Sequence, residues 1–182
     1  TGSVGSTDHN TGTSASFNYP GRITTDGTNL YVTDGGNHTI RKIVISTGVV
    51  TTLAGSGTAG STDGTGTAAS FNDPRELTTD GTNLYLADAS NHKIRKIVIS
   101  TGAVTTLAGS GSAGSTDAAG TAASFNVPMG IAFDGTNLYV VDYAGHKIRK
   151  IALRETETDV VTLNNLDDDV DVTVDVASSN TS

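Results

Sequence analysis

The chain contains no cysteine, which excludes disulfides, thiolate metal sites and thioether haem attachment and leaves the redox compartment open. Aromatic residues make up 5% and hydrophobic residues 35%, whereas glycine alone numbers 22. That balance suits many short strands joined by tight turns better than helices. No apolar run approaches the ~18 residues that a membrane-spanning helix needs. No targeting peptide is visible, although the chain opens on Thr1 and one could have been removed. Basic residues are also few: 11 Lys and Arg against 19 Asp and Glu give a net charge of −8. This argues against a nucleic-acid partner, whose phosphates need a basic surface. At 182 residues the chain is long enough for one domain with a sizeable core.

What the chain has in abundance is repetition. The string DGTNLY begins at Asp26, Asp80 and Asp134, a period of 54 residues. Between Phe17–Thr58 and Phe71–Ser112, 31 of 42 aligned positions are identical, and the third copy follows the pattern from Phe125 to Lys150. Such a period marks one supersecondary unit written several times. Residues common to all copies are expected to be architecture, and residues peculiar to one copy or to the ends are the place to look for individual function.

Within the first copy, Ile23 to Thr25 is a β-prone run closed by the turn Asp26-Gly27-Thr28-Asn29. Leu30 to Thr33 follows, then a turn at Asp34 to Asn37, a run from Thr39 to Ser46, a turn at Ser46 to Gly48, and Val49 to Leu53. Short turns between β-branched and aromatic runs predict a four-stranded antiparallel meander. Residues 54–74 and 108–128 are Gly-, Ser- and Thr-rich linkers, yet GTAASFN recurs at Gly66 to Asn72 and Gly120 to Asn126. Phe17, Phe71 and Phe125 are therefore expected to pin each linker to a blade edge, and Pro20, Pro74 and Pro128 to fix entry into the first strand.

Radial repetition of four-stranded units is the build of a β-propeller. The run FNVPMGI (Phe125 to Ile131), the DGTNLYV strings and NHTIRKI (Asn37 to Ile43) together resemble the NHL-repeat propellers. The linker AGSGTAGSTDGTGTAASF resembles that of their bacterial, extracytoplasmic members, which implies an extracellular or cell-surface location, with the periplasm as alternative. The chain departs from the pattern where Arg22 and Glu76 replace the glycine seen at Gly130, and where Gly145 stands in place of Asn37 and Asn91.

The expected architecture is all-β: three blades at about 17–54, 71–108 and 125–163, half of a six-bladed ring of the kind typical for NHL domains. Residues 164–182 form an acidic connector and tail. Three blades leave open apolar faces, so the missing half must come from a longer parent chain, a second copy or neighbours in a polymer. Val170, Val172, Val174 and Val176 alternate with Asp169, Asp171, Thr173 and Asp175, the pattern of a half-buried strand. That extra strand could pair with an exposed sheet edge or begin a following domain.

Several residues invite a chemical role. His38, His92 and His146 hold one position per blade and could form a metal ring, but without a second closely spaced ligand they read as turn or inter-blade hydrogen-bonding residues. His9 has no assigned role. Asp34, Asp88 and Asp142, like Asp63 and Asp117 in the linkers, could bind Ca²⁺ at a rim, but read as caps on backbone amides. The recurring pairs Arg41-Lys42, Arg95-Lys96 and Arg149-Lys150 read as a blade-surface or inter-blade feature. Asp167, Asp169 and Asp171 are weak calcium candidates, because Val172 and Ser178 occupy the Gly and Glu places of an EF-hand loop. No nucleophile–base pair or phosphate-cradling motif appears, so no cofactor and no catalysis are expected. The leading expectation is a non-enzymatic, exported scaffold acting through protein contacts or self-assembly. The alternatives are a calcium-dependent hydrolase or lyase propeller and a carbohydrate- or peptide-binding module.

Overall fold

The computed structural model describes residues 4–153 and 158–163. Its strands are β1 (Pro20–Thr25), β2 (Asn29–Asp34), β3 (Thr39–Val44), β4 (Val50–Ala54), β5 (Gly64–Thr65), β6 (Pro74–Thr79), β7 (Asn83–Asp88), β8 (Lys93–Val98), β9 (Ala103–Ala108), β10 (Pro128–Phe133), β11 (Asn137–Asp142), β12 (Lys147–Leu153) and β13 (Thr158–Leu163). Helix among the described residues is confined to 3-10 turns of three residues each. The strands form three antiparallel meanders, β1–β4, β6–β9 and β10–β13, each one blade. The first strands of successive blades pack against one another, so the blades fan outward from β1, β6 and β10.

The DGTNLY string explains the first hairpin of each blade. Gly27 sits at φ +87°, where a side chain is strained. The Asp26 carboxylate accepts the N–H groups of Thr28 and Asn29 at 2.8 and 2.6 Å, and the Tyr31 hydroxyl donates to it at 2.7 Å. Burial raises the Asp26 carboxyl, but the Asn29, Tyr31 and Thr28 hydrogen bonds outweigh it and hold the group well below the usual range. Burial and the neighbouring Asp26 raise the Tyr31 phenol. The turn, the capping acid and the strand's aromatic residue are thus one bonded unit.

Blade 2 departs from four strands. Gly64 and Thr65 of the preceding linker pair with Val104 and Ala103, adding β5 to the outer edge. In blade 1 the same addition shrinks to one bridge between His9 and Val50. The register is the same in both, since His9–Val50 matches Gly64–Val104, but in blade 1 the linker has one more residue between its Asp and its Phe (Asp8 to Phe17, against Asp63 to Phe71).

The core lies between blades, not within them. One cluster joins Tyr31, Ile40 and Ala54 of blade 1 to Phe71, Leu77, Leu84, Leu86, Ile97 and Val104 of blade 2 and its linker. A second joins Tyr85, Ile94 and Ala108 of blade 2 to Phe125, Ile131, Leu138, Val140, Ile151 and Val160 of blade 3. Phe71 and Phe125 are fully buried wedges in these two junctions, so they hold more than a linker's edge. Burying each contributes about 1.5–3 kcal/mol.

Candidate functional site

The charged residues of the repeat converge on one arginine per blade. Arg95, on β8, is fully buried. Its Nη1 donates to the Asp88 carboxylate at 2.8 Å and to the Ser70 carbonyl at 3.1 Å. Its Nη2 donates to the Asp63 carboxylate at 2.7 Å and the Thr62 carbonyl at 3.0 Å. The guanidinium also lies 5.2 Å over the Phe71 ring. Arg41 is held in the same way by Asp34, Ser16, Asp8 and Thr7 over Phe17, and Arg149 by Asp142, Ser124, Asp117 and Thr116 over Phe125. One guanidinium thereby ties a blade's sheet to two points of the linker that enters it, in blade 2 Thr62–Asp63 and Ser70. Only a planar fork can make those bonds at once.

This corrects two sequence-based readings. Arg41, Arg95 and Arg149 are not surface residues; they are the largest buried side chains of the described residues. Alternation along the strand gave no sign of this, because the arginine points to the linker rather than to the next blade. Asp34, Asp88 and Asp142 do cap a backbone amide, but one 16 residues upstream and not one in the turn that follows them. Asp88 accepts the Asn72 N–H at 2.8 Å, from 16 residues upstream, together with the Asn91 side-chain amide at 2.8 Å and Arg95. Burial pushes the Asp88 carboxyl up, and these donors oppose the rise. In blade 3 Gly145 replaces that asparagine, and the Arg149–Asp142 contact lengthens to 3.3 Å. Asp63 accepts the Thr106 N–H at 3.0 Å besides Arg95; burial raises its carboxyl, but these donors bring it below the usual value.

The histidines sit at the blade junctions. His38 and His92 adopt left-handed backbone at φ +53° and +54°. Their Nδ1 atoms accept the backbone N–H of Asp73 at 3.2 Å and of Val127 at 3.1 Å, each at the entry to the next blade. His146 has the same backbone at φ +55° but lies exposed on the last blade. Among the described residues no group of three or more His, Asp or Glu side chains is arranged to hold a metal ion. Asp167, Asp169, Asp171 and the strand Val170, Val172, Val174 and Val176 lie outside the described residues.

A cleft of about 640 Å³ where the three blades meet is lined by Tyr19, Arg22, His38, Asp73, Arg75 and Met129 among others, of which all but His38 are peculiar to one copy. Arg22 reaches Glu76 at 3.3 Å and Arg75 reaches Asp73 at 2.8 Å, both pairs facing solvent.

The blade faces differ only at the ends. Ile40 and Ile94 are 0% exposed, whereas their equivalent Ile148 is 36% exposed. Leu77 and Ile131 are 3% and 7% exposed, whereas Ile23 is 58% exposed. Leu30 and Ile43 of blade 1 are likewise only half-buried, where Leu84, Ile97, Leu138 and Ile151 are fully buried.

Fanned four-stranded blades, stitched together by a repeating linker, define a segment of a β-propeller. No family model matches the chain. NHL repeat-containing protein 2 of Bos taurus is 35% identical over 141 residues, covering 71% of this chain and 19% of the relative. The Homo sapiens protein of the same name is 34% identical over 136 residues, covering 68% of this chain and again 19% of the relative. A solved auxiliary nutrient binding protein from Bacteroides thetaiotaomicron superposes with a TM-score of 0.61 at 27% identity, over 70% of this chain and 36% of that one. The chain belongs to the NHL-repeat β-propeller family. It spans about a fifth of the length of these two curated relatives.

Proposed function

We propose that this propeller segment is a non-enzymatic scaffold that works outside the cytoplasm through protein–protein contacts made by its end blades. The carrying observation is that apolar positions buried at both internal junctions are left open on blades 1 and 3. Contiguous apolar surface of that kind marks an interaction site. The repeat's acids, arginines and internal histidines support the same reading, since each is engaged in bonds that build the blades. The test pairs a contact assay with a chelator. Ile23→Lys and Ile148→Lys should abolish the contact while leaving the circular-dichroism spectrum unchanged, and EDTA should alter neither. EDTA-sensitive turnover of an ester or glycosidic substrate would refute the reading.

A second reading, a carbohydrate- or peptide-binding module, is favoured by the cleft where the three blades meet. The solved neighbour described as nutrient binding lends it support. Titration calorimetry with oligosaccharides and short peptides, repeated on Arg75→Ala, tests it: binding lost in the variant would support a ligand site, and no heat from either class would dismiss it.

A further inference from the structure

Copies 1 and 2 of the repeat differ at 11 of 42 aligned positions, and five of those 11 place a residue in the cleft where the blades meet. They are the positions of Tyr19, Gly21, Arg22, Gly35 and Gly36, whose blade 2 counterparts are Asp73, Arg75, Glu76, Ala89 and Ser90. The frame is copied and the cavity is varied. We infer that this cleft takes a neutral, polyhydroxylated ligand, a sugar ring stacked on Tyr19. This rests on the binding-module reading and names its ligand class.

The cleft has room because a side chain is missing from its wall. Gly35 stands where blade 2 has the fully buried Ala89. A Cβ on Gly35 would lie 3.3 Å from the Tyr19 carbonyl oxygen and 3.7 Å from that of Pro74, both residues of the lining. One strand position supplies Gly21, Arg75 and Met129 to that lining, one from each blade. The volume of about 640 Å³ falls within the roughly 300–1,000 Å³ of small-molecule sites. Tyr19 is exposed at φ +50°. Left-handed backbone is costly for a bulky side chain, whereas an aspartate such as Asp73, at the same place in blade 2, tolerates it. That backbone nevertheless carries a flat aromatic ring, whose negative face attracts the polarised C–H bonds of a sugar.

The polar groups fit hydroxyls. Arg75 sets Nε and Nη2 on one oxygen of Asp73, at 2.9 and 2.8 Å, so its Nη1 and the second carboxylate oxygen remain for a ligand. Arg22 gives Nε to Glu76 at 3.3 Å and keeps both Nη groups. His38 accepts the Asp73 N–H on Nδ1, which puts its ring proton on Nε2 as a further donor. A hydroxyl both donates and accepts, so neighbouring donors and acceptors of this kind serve it. An anion is served poorly, because each guanidinium already faces a carboxylate and no positive charge is in surplus. A peptide strand relies on pockets for alternate side chains, and the apolar side chains of the cleft besides the Tyr19 ring are Pro74 and Met129.

Saturation-transfer NMR on the 182-residue chain tests this with maltotriose, cellotriose and mannotriose, beside trigalacturonate as an anion and trialanine as a peptide. The neutral sugars should receive saturation on their ring C–H protons. Tyr19→Asp and Gly35→Ala write blade 2's residues into blade 1, at places where the repeat already accepts them. Tyr19→Asp should raise the dissociation constant for the neutral sugars about tenfold, and Gly35→Ala should weaken binding as well. Neutral sugars bound as tightly by both variants as by the parent would place them elsewhere and overturn the site. Trigalacturonate or trialanine bound in preference would overturn the sugar while leaving a binding module standing. Saturation of none of these compounds would overturn the binding-module reading together with the sugar.

Discussion

Replacing Arg95 by methionine tests what the buried guanidinium contributes, since an unbranched apolar stem is kept while the charge, four hydrogen bonds and the guanidinium's place over the Phe71 ring go. Asp88 is left fully buried with two donors, the Asn72 N–H and the Asn91 amide. Removing one partner of a buried pair costs about 3–5 kcal/mol, because the other charge is stranded. Against a domain stability of about 5–15 kcal/mol this is large. Urea denaturation followed by circular dichroism should show the midpoint falling accordingly. The loss should shrink on acidification: burial already raises the Asp88 carboxyl, and once Arg95 is gone the stranded group is pushed higher and is relieved by taking up a proton. Arg95→Met combined with Asp88→Asn should cost less than the sum of the two single changes. Arg95→Lys should recover less than half the loss, as one ammonium cannot span two carboxylates and two carbonyls. A loss below about 1 kcal/mol for Arg95→Met would refute the claim that this arginine ties linker to blade, since exposed pairs are worth that little.

Asp80→Asn should flatten the acid side of the stability profile. Burial raises the Asp80 carboxyl, but its Asn83, Thr82 and Tyr85 hydrogen bonds lower it overall, so its stabilisation is present above the ordinary value of about 3.9 and is lost as pH falls through the folded-state value. Urea midpoints from pH 7 to pH 3 check this, and parallel curves for variant and parent would contradict it. His92→Ala should cost about 1 kcal/mol by removing the acceptor for Val127 N–H, whereas His146→Ala, at an exposed position, should cost less. Gly109→Ala should cost at least ~2 kcal/mol, because Gly109 sits at φ +103° and an added Cβ would lie 2.5 Å from the His92 carbonyl oxygen. A thermal melt of that variant matching the parent would show the junction to be looser than described.

The fold was legible because each strand and turn is written locally. Gly27, Gly81 and Gly135 supply the positive-φ corner of each hairpin, and the alternating strands between turns require antiparallel pairing. The arginine cages were not legible in the same way. Arg95 binds Asp63 from 32 residues upstream and Asp88 from 7 residues upstream, and neither separation is a local signal. The clue lay in the repeat itself: an Asp in each linker, an Asp ending each second strand and an Arg in each third strand recur together with a Phe. A charged residue repeated in step with an aromatic one reads as a bonded set once the linker is seen to fold back along its own blade. The copy-specific cleft was hidden for another reason, since Arg22, Arg75 and Met129 come from three different blades and meet only through the radial arrangement.

Sedimentation velocity of the chain, beside its Ile23→Lys and Ile148→Lys variants, tests most directly whether the open apolar positions of blades 1 and 3 are contact surfaces. Losing one buried isoleucine from a contact, worth about 1.5–3 kcal/mol, raises its dissociation constant about 10- to 100-fold. The unmodified chain should then show concentration-dependent association that both variants lose, with unchanged circular dichroism. Variants that associate as tightly as the parent would contradict it.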